Sequence, residues 1–574
     1  MKISPKKSNG SGQFWAFFII FTSLLIVIGG AFALYYFKGA KTITTKDIRS
    51  AEKIYGLRFS PTERKMMRQN LKQNRSWYES MRKTDLANHV IPAVRFNPIV
   101  SSSQETQINR SISFTPRENV SRPDDPSDLA FYSVVELASL IKTKQITSIE
   151  LTQLYIDRLK AYGPSLNCVI TLTEDLALEQ AQRADREIAS GLYRGPLHGI
   201  PWGAKDLLAT EDYKTTWGAF PYKDQILPED ATVVTRLEEA GAVLTAKLSL
   251  GALAMGDVWY GGKTKSPWNP ENGSSGSSAG PGSATAAGLV AFSIGSETWG
   301  SIVSPSTRCF VSGLRPTFGR VSRNGAMALS WSMDKIGPMC RSAEDCALVF
   351  TSIYGPDGKD LSLTDLPFEW DPSLELGEIR IGFLKKAFEG EYKQKDKDLA
   401  VLEVLRSLGV DLVPIELPDF PVRSLSIILN AEAASAFDIL TRSNRDDLLV
   451  RQDRWAWPNS FRQARFIPAV EYIQANRMRT LLMHEVADRM KDIDVLVAPS
   501  YRENILLISN LTGHPAVVVP NTTPGKGDTN SITFIGSLFE EAKTLRVAVA
   551  YQEATGYQLL HPDLEKNLTN DPSE

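Results

Sequence analysis

A lysine and two serines in this chain are of the types that can together activate a serine hydroxyl without a histidine. They are Lys205, Ser277 and Ser301. A serine hydroxyl is a weak nucleophile until a neighbouring base takes its proton, and a buried neutral lysine can be that base, acting through a second hydroxyl. The three residues therefore predict a serine hydrolase. They lie in the segments His198-Gly-Ile-Pro-Trp-Gly-Ala-Lys-Asp206, Gly273-Ser-Ser-Gly-Ser-Ser-Ala-Gly-Pro-Gly-Ser283 and Gly295-Ser-Glu-Thr-Trp-Gly-Ser-Ile302.

The segment 273–283 is rich in glycine and serine, a composition that is also typical of flexible linkers. It is followed at once by Ala284-Thr-Ala-Ala-Gly288 and an apolar run, so we expect it to lie inside a packed unit. A phosphate-binding loop is not indicated, because no Gly-Lys-Ser/Thr closes the segment and no apolar strand leads into it.

Gly276-Ser-Ser-Ala-Gly280 also matches the G-x-S-x-G nucleophile elbow, with Ser278 at its centre. That elbow requires a strand directly before the serine. The preceding residues 261–272 contain two prolines and almost no apolar run, which argues against an elbow-type hydrolase. Ser278 is then a candidate for supporting the network around the other two serines.

Helical patterns and short apolar runs surround these segments and must position them. Ser133-Val-Val-Glu136 and Thr147-Ser-Ile-Glu150 have the capping-box spacing and predict two helix starts, the second helix ending at Gly163-Pro164. The runs 242–246 and 289–294 have the length of buried strands. Such alternation predicts an α/β fold with a mixed β-sheet sandwiched by helices.

Charge and cysteine content narrow the range of functions. The formal net charge is −2, with 64 Lys and Arg against 66 Asp and Glu, whereas a nucleic-acid partner usually requires a basic stripe. The four cysteines show neither the density of a disulfide scaffold nor a CxxC pair, and only five histidines could add metal ligands. We expect no nucleic-acid partner, no metal and no cofactor.

The amino terminus carries an apolar run, Phe14 to Phe37, that contains no charged residue. At about 1.5 Å per helical residue the run is long enough to cross a hydrocarbon core of about 30 Å. Lys2, Lys6 and Lys7 precede it and favour a cytoplasmic amino terminus. We therefore expect a single-pass membrane anchor with an extracytoplasmic catalytic domain. A secreted protein is the alternative, since Ala31-Phe-Ala33 offers a signal-peptide cleavage site.

Composition shifts along the chain predict four parts. Residues 1–45 form the tail and the transmembrane or signal segment. Residues 46–127 form a helical stalk and linker, in which Ser60-Pro-Thr-Glu63 starts a helix reaching about Lys83. Residues 128–565 form the catalytic domain, and 566–574 form a polar tail.

The ordered motifs from roughly Asp128 to Asp563 resemble the amidase signature family. Besides the three segments above, the matching motifs are Thr264-Lys-Ser-Pro-Trp-Asn-Pro270, Ser312-Gly-Leu-Arg-Pro-Thr-Phe-Gly-Arg-Val-Ser322, Asp334-Lys-Ile-Gly-Pro338, Asn510-Leu-Thr-Gly-His-Pro515 and Leu545-Arg-Val-Ala548. The resemblance implies the α/β fold of that family and a Ser-cis-Ser-Lys triad. By matched position the base is Lys205, the relaying serine is Ser277 and the acylated serine is Ser301. The cis peptide bond is then Gly276–Ser277.

The resemblance also implies an oxyanion hole of backbone N–H groups in the loop before Ser301. Its donors are Thr298, Trp299 and Gly300, with Ser278 as a supporting hydroxyl. Many relatives have glycine where this chain has Trp299, so the sequence leaves open whether the tryptophan alters the hole or forms a wall of the pocket. The form Glu297-Thr-Trp-Gly-Ser-Ile-Val303 resembles the peptide-amidase branch.

The expected function is hydrolysis of a carboxylic amide to a carboxylate and ammonia or an amine, through an acyl-enzyme on Ser301. The substrate is expected to be a small-molecule or peptide amide, and the predicted anchor makes a fatty acid amide plausible. The alternatives are an esterase on the same scaffold, a glutaminase similar to the A subunit of glutamyl-tRNA amidotransferase, and a membrane-tethered binding protein. A homodimer stays open.

Overall fold

The computed structural model of the protein describes residues 42–84, 93–94, 117–525 and 528–569. The chain divides into two compact units, residues 1–76 and 77–574. The first unit contains helix α1 (Thr45–Tyr55) and the start of helix α2 (Pro61–Met81). The predicted capping box at the start of α2 is confirmed, because the Ser60 N–H donates to the Glu63 carboxylate and the Glu63 N–H donates to the Ser60 hydroxyl.

An eleven-stranded mixed β-sheet forms the centre of the second unit. Its strands, numbered along the chain, are β1 (Val169–Leu172), β2 (Pro201–Lys205), β3 (Val243–Leu248), β4 (Phe292–Glu297), β5 (Ser312–Arg315), β6 (Lys335–Cys340), β7 (Ile381–Leu384), β8 (Leu412–Ile415), β9 (Val495–Pro499), β10 (Ala516–Pro520) and β11 (Ser531–Gly536). They lie in the order β1-β3-β2-β4-β6-β5-β10-β11-β9-β7-β8. Strand β2 runs parallel to both of its neighbours, β3 and β4.

Helices flank this sheet, which confirms the predicted α/β class. The central strands β2, β3, β6, β9, β10 and β11 are buried at every residue, as expected where both faces of a sheet are covered. The edge strand β8 is partly exposed and carries Pro414, a residue that sheets tolerate at their edges. The helices of the second unit are α3 (Val134–Lys142), α4 (Ser148–Leu166), α5 (Glu174–Ala189), α6 (Thr232–Glu239), α7 (Ala279–Ala286), α8 (Val303–Cys309), α9 (Ala343–Ile353), α10 (Lys385–Phe388), α11 (Lys395–Ser407), α12 (Ile427–Ala436), α13 (Asp438–Arg442), α14 (Trp457–Ala464), α15 (Ala469–Met490), α16 (Ile505–Thr512), α17 (Glu541–Thr555) and α18 (Leu564–Thr569).

Two predicted element boundaries are wrong. Helix α4 does not stop at Gly163-Pro164 but continues to Leu166, because a proline in the last turn removes only one backbone hydrogen bond there. The apolar run that begins at Leu289 enters the sheet only at Phe292, where pairing with Trp202 of β2 begins. Leu289, Val290 and Ala291 are buried in the connection after α7.

Over the described ranges, no helix combines the length and the apolar character needed to cross a bilayer. The predicted membrane or signal segment, Phe14 to Phe37, lies outside the described residues. The anchor therefore stays a sequence-based prediction.

Candidate active site

Three segments bring the predicted site residues to the carboxyl ends of strands β2 and β4. Lys205 is the last residue of β2, and Ser301 lies between the end of β4 and the start of α8. Because β2 and β4 are parallel neighbours, their carboxyl ends lie side by side. Ser277 lies in the loop between a short strand, Asn269–Gly273, and helix α7.

Lys205 is fully buried, and its closest polar neighbours are hydroxyl groups. Its Nζ lies 2.9 Å from the Oγ atoms of Ser277, Ser278 and Ser296, and 3.3 Å from the Ser296 carbonyl oxygen. An ammonium group at this position would be surrounded by neutral dipoles rather than by a contacting carboxylate. Burial of this kind disfavours the charged form.

Burial lowers the pKa of Lys205 from its ordinary value of 10.5 to about 7, although the charges of Asp334 and Glu297 partly oppose the lowering. A neutral amine is therefore well populated near neutral pH. A neutral amine offers two N–H donors and one lone pair, which can accept a proton from a neighbouring hydroxyl.

The Ser278 hydroxyl is already committed to the backbone of Ser296. It donates to the Ser296 carbonyl and accepts from the Ser296 N–H, each at 3.1 Å. Its proton is therefore engaged, and Ser278 can only accept from Lys205. The hydroxyls that remain able to donate to the lysine lone pair are those of Ser277 and Ser296.

The Gly276–Ser277 peptide bond is cis, as the sequence resemblance implied. Ser277 is fully buried, whereas Ser301 is partly exposed. The Ser278 N–H donates to the Ser301 carbonyl at 3.1 Å, which fixes the Gly/Ser loop against the loop that carries Ser301. Of the two candidate triad serines, Ser301 is the one that an incoming substrate can reach.

The Glu297 carboxylate binds the backbone directly after Ser301. Its Oε2 accepts from the N–H groups of Ile302 and Val303 at 2.8 and 3.0 Å, while its Oε1 accepts from Arg315 and Asn510 at 2.8 and 2.7 Å. Burial alone would raise the pKa of this carboxyl, but Arg315 and these hydrogen bonds outweigh it and lower the pKa to about 2. A permanent carboxylate thus stabilises the start of helix α8.

The backbone between Glu297 and Ser301 has the features expected of an oxyanion hole. Gly300 has a φ of +89°, which favours glycine, and a Cβ there would approach Leu506 and Ser304 at 3.0 and 3.1 Å. Trp299 does not have a positive φ, so its position does not require glycine, and its side chain is 40% exposed. In the described part of the chain, no acceptor binds the N–H groups of Trp299, Gly300 or Ser301.

A hydrogen bond between Thr298 and Asp334 is a contact that the sequence did not predict. The Thr298 hydroxyl donates to Oδ1 of the half-buried Asp334 at 2.5 Å, and Oδ2 accepts from the N–H groups of Leu329 and Ser330. Burial raises the pKa of Asp334, and its hydrogen bonds partly oppose that change. Asp334 was present in the matched motif Asp334–Pro338, so the motif was the available signal.

A cavity of about 270 Å³ opens beside these residues. Ser296, Thr298 and Asp334 line its inner end, and the other walls carry both apolar and polar side chains. Arg323 and Asp360 form an ion pair in the same lining, at 3.0 Å. Within the described ranges, no group of three or more His, Cys, Asp or Glu side chains could hold a metal ion.

Comparisons with known proteins agree on one family. A family model described as Amidase matches residues 150–508. The A subunit of the glutamyl-tRNA(Gln) amidotransferase of Heliobacterium modesticaldum is 33% identical over 478 residues, covering 75% of this chain and 98% of that protein. The corresponding protein from a Marinomonas species is 32% identical over 482 residues, covering 76% and 99%.

Solved structures give the same result. The peptide amidase of Stenotrophomonas maltophilia superimposes with a TM-score of 0.67 at 28% identity, covering 75% of this chain and 98% of that one. An amidase family protein from Bacillus anthracis superimposes with a TM-score of 0.68 at 25% identity, covering 76% and 92%.

Proposed function

Because this chain belongs to the amidase family, whose members act on amide C–N bonds, we propose that Lys205, Ser277 and Ser301 hydrolyse a carboxylic amide. The products are a carboxylate and ammonia or an amine. The observation that carries the proposal is the buried Lys205, whose Nζ lies 2.9 Å from Ser277 and whose pKa falls to about 7.

Acylation begins with two coupled proton transfers. Neutral Lys205 accepts the proton of Ser277, and Ser277 accepts the proton of Ser301. The Ser301 oxygen then attacks the amide carbonyl carbon and forms a tetrahedral intermediate. When that intermediate collapses, the C–N bond breaks and the amine takes the proton back along the same path, leaving an ester on Ser301.

Backbone N–H groups of Thr298, Trp299, Gly300 and Ser301 stabilise the negative oxygen of the intermediate. Removing one donor from such a hole typically costs about 3 kcal/mol of transition-state stabilisation. Water then attacks the carbonyl carbon of the ester and gives a proton to Ser277 and Lys205. Ser301 takes a proton back along the same path as the carboxylate is released.

Labelling with a small fluorophosphonate tests this proposal directly. The full chain, purified in detergent, is treated with the reagent, and the modified residue is located by peptide mass spectrometry. We expect labelling at Ser301, its complete loss in Ser301→Ala, and slower labelling in Ser277→Ala and Lys205→Ala. Ser190→Ala, an exposed serine outside the triad and both cavities, serves as a control that should label at the wild-type rate.

Two results would contradict the proposal. Labelling at Ser278 instead would support an elbow-type hydrolase. No labelling of folded protein would support a membrane-tethered binding protein. Comparing the turnover of an amide and an ester with the same acyl group then separates an amidase from an esterase.

A glutaminase that works within a larger complex is the second candidate function, favoured by the 33% identity to the A subunit of an amidotransferase over 98% of that protein. Such a protein would release ammonia from glutamine and depend on partner chains. Measurement of ammonia release with and without partner subunits decides between them. Turnover of unrelated amides by the isolated chain supports the amidase, and ammonia release only from glutamine with partner subunits added supports the glutaminase.

We also propose that the segment Phe14 to Phe37 anchors the enzyme in a membrane, with the catalytic domain outside the cytoplasm. The support is the uncharged apolar run and the lysines before it. Cell fractionation followed by protease protection tests this proposal. A catalytic domain found in the medium without the segment would indicate signal cleavage instead.

A further inference from the structure

A second cavity, of about 600 Å³, lies next to the cavity lined by Ser296, Thr298 and Asp334, which is called the catalytic cavity below. It lies among helices α12, α13, α14 and α15, and Trp331 lines both cavities. The smaller cavity alone has about 270 Å³, which is below the usual range for sites that hold drug-sized ligands. The two cavities therefore share a wall residue.

Part of the lining of the second cavity consists of small and apolar side chains. Ala431, Ala434, Ala464 and Ala469 leave the space open because none of them extends beyond Cβ, and Ile467 adds an apolar wall. No wall residue needs to move to admit a ligand of moderate width. This lining favours an aliphatic or aromatic group.

The charged residues of the second cavity already have partners. The Glu432 carboxylate accepts from the hydroxyls of Ser330, Ser332 and Tyr472 at 2.6, 2.7 and 2.8 Å. Asp438 and Arg465 pair with and neutralise each other, and hydrogen bonds occupy the Glu432 carboxylate. A charged ligand would lose its hydration without gaining open hydrogen-bond partners there, so the cavity favours an uncharged group.

The loop that carries Trp331 is fixed from both sides. Asp334 accepts two of its N–H groups on the side of the catalytic cavity, and Glu432 accepts two of its hydroxyls on the other side. Arg323 donates to the Trp331 carbonyl at 2.6 Å. The indole itself is 50% exposed. A large apolar ring held on a fixed backbone and left exposed between two cavities is suited to contacting a ligand.

We propose that the substrate amide carries an uncharged apolar group, aromatic or of medium chain length, that extends past Trp331 into the second cavity. This inference rests on the proposed function, since Ser301 must react at the other end of the same molecule. The apolar group is the part of the substrate that this enzyme selects. Each methylene group that becomes buried in the cavity should raise the second-order rate constant for reaction with Ser301 about fourfold.

Matched fluorophosphonates with a methyl or a decyl group on phosphorus test the inference on the full chain in one detergent. The quantity measured is the ratio of the second-order rate constants for labelling of Ser301, decyl over methyl. We expect a ratio of at least tenfold in the wild type. Ala469→Trp, which adds a large side chain to the second cavity from the exposed start of α15, should lower the ratio at least tenfold.

Two further variants complete the test. Ala434→Leu should lower the ratio by a smaller factor, because it fills the same cavity from helix α12. Ala161→Trp places the same large side chain at an exposed alanine of α4 and should keep the wild-type ratio, which controls for partition of the long probe into micelles. Moving the decyl group to the ester oxygen tells whether the acyl or the amine side of the substrate enters the cavity.

The outcomes separate this inference from the function on which it rests. Labelling of Ser301 at equal rates by both probes, or a ratio that Ala469→Trp leaves unchanged, overturns the second-cavity assignment and leaves the triad intact. No labelling of Ser301 by either probe overturns the proposed function, and this inference with it.

Discussion

Lys205 and Lys247 are both fully buried on neighbouring strands, yet their surroundings differ. The Lys247 ammonium lies 3.2 Å from the Asp206 carboxylate and also contacts the Thr215 hydroxyl at 2.8 Å. Lys205 has hydroxyls and one carbonyl around it instead. Burial favours the neutral form of any lysine, and a contacting carboxylate opposes it. Burial lowers the pKa of both lysines, but the same pair of strands carries one lysine that contacts a carboxylate and one that contacts only neutral groups.

The largest expected effect comes from removing the lysine without a counter-charge. Lys205→Met should lower kcat/KM by roughly 10²- to 10⁴-fold, the usual contribution of a general base. The free energy of unfolding should fall by only about 1–3 kcal/mol, because neutral hydroxyls rather than a buried charge lose their partner. Steady-state kinetics on an amide and chemical denaturation of the full chain measure the two quantities. A variant that kept wild-type turnover would remove Lys205 from the mechanism.

Removing the paired lysine should give the opposite pattern. Lys247→Met leaves the fully buried Asp206 without its cation and should lower the free energy of unfolding by about 3–5 kcal/mol. The double variant Lys247→Met with Asp206→Asn should recover most of that loss, since no uncompensated charge remains. Denaturant titration of the three proteins measures it. An equal loss in the single and the double variant would mean that the ion pair is not the cause.

The pH dependence of kcat/KM sharpens the comparison further. Lys205 must be neutral to act, and burial lowers its pKa from 10.5 to about 7. Above this pH the amine is free and activity should be at its plateau. Below it the ammonium form accumulates, and activity should fall about tenfold per pH unit. A profile that stayed flat down to pH 5 would contradict a base with this pKa.

The linear motifs predicted Lys205, Ser277 and Ser301 as the site, because each lies in a segment with a recognisable spacing, and the structure brings Lys205 to 2.9 Å from Ser277. They could not show what surrounds those residues. Ser296 reaches Lys205 only because β2 and β4 are parallel neighbours. Arg315 and Asn510, which both bind the Glu297 carboxylate, come from other parts of the chain. Such contacts depend on sheet topology, which spacing along one strand does not encode.

The second cavity illustrates the same limit. Its walls come from the loop around Trp331 and from four helices between residues 427 and 490, and these helices carry no motif. Their shared property is the small size of the alanines, which a sequence cannot distinguish from ordinary helix-forming residues. By contrast, capping boxes such as Ser133 to Glu136 were predictable because all of their hydrogen bonds are local.

The smallest expected effect concerns the carboxylate of Asp334, whose charge acts on the catalytic lysine. The charge of Asp334 raises the pKa of Lys205 by stabilising the ammonium form. Asp334→Asn removes that charge and should move the acidic limb of the kcat/KM profile to lower pH. The plateau should fall by less than about tenfold, because only the hydrogen bond to Thr298 is weakened.

Glu432→Gln is the matched control for Asp334→Asn. Glu432 also binds the loop that carries Trp331, but the side chains that contact it, Ser330, Ser332 and Tyr472, do not include Lys205. Its removal should lower the plateau without moving the acidic limb. A limb that moved equally in both variants would mean that the loop position, rather than the Asp334 charge, sets the pKa of Lys205. If the acidic limb moved only in Asp334→Asn, the charge of Asp334 would be the reason why the pKa of Lys205 is not lower still.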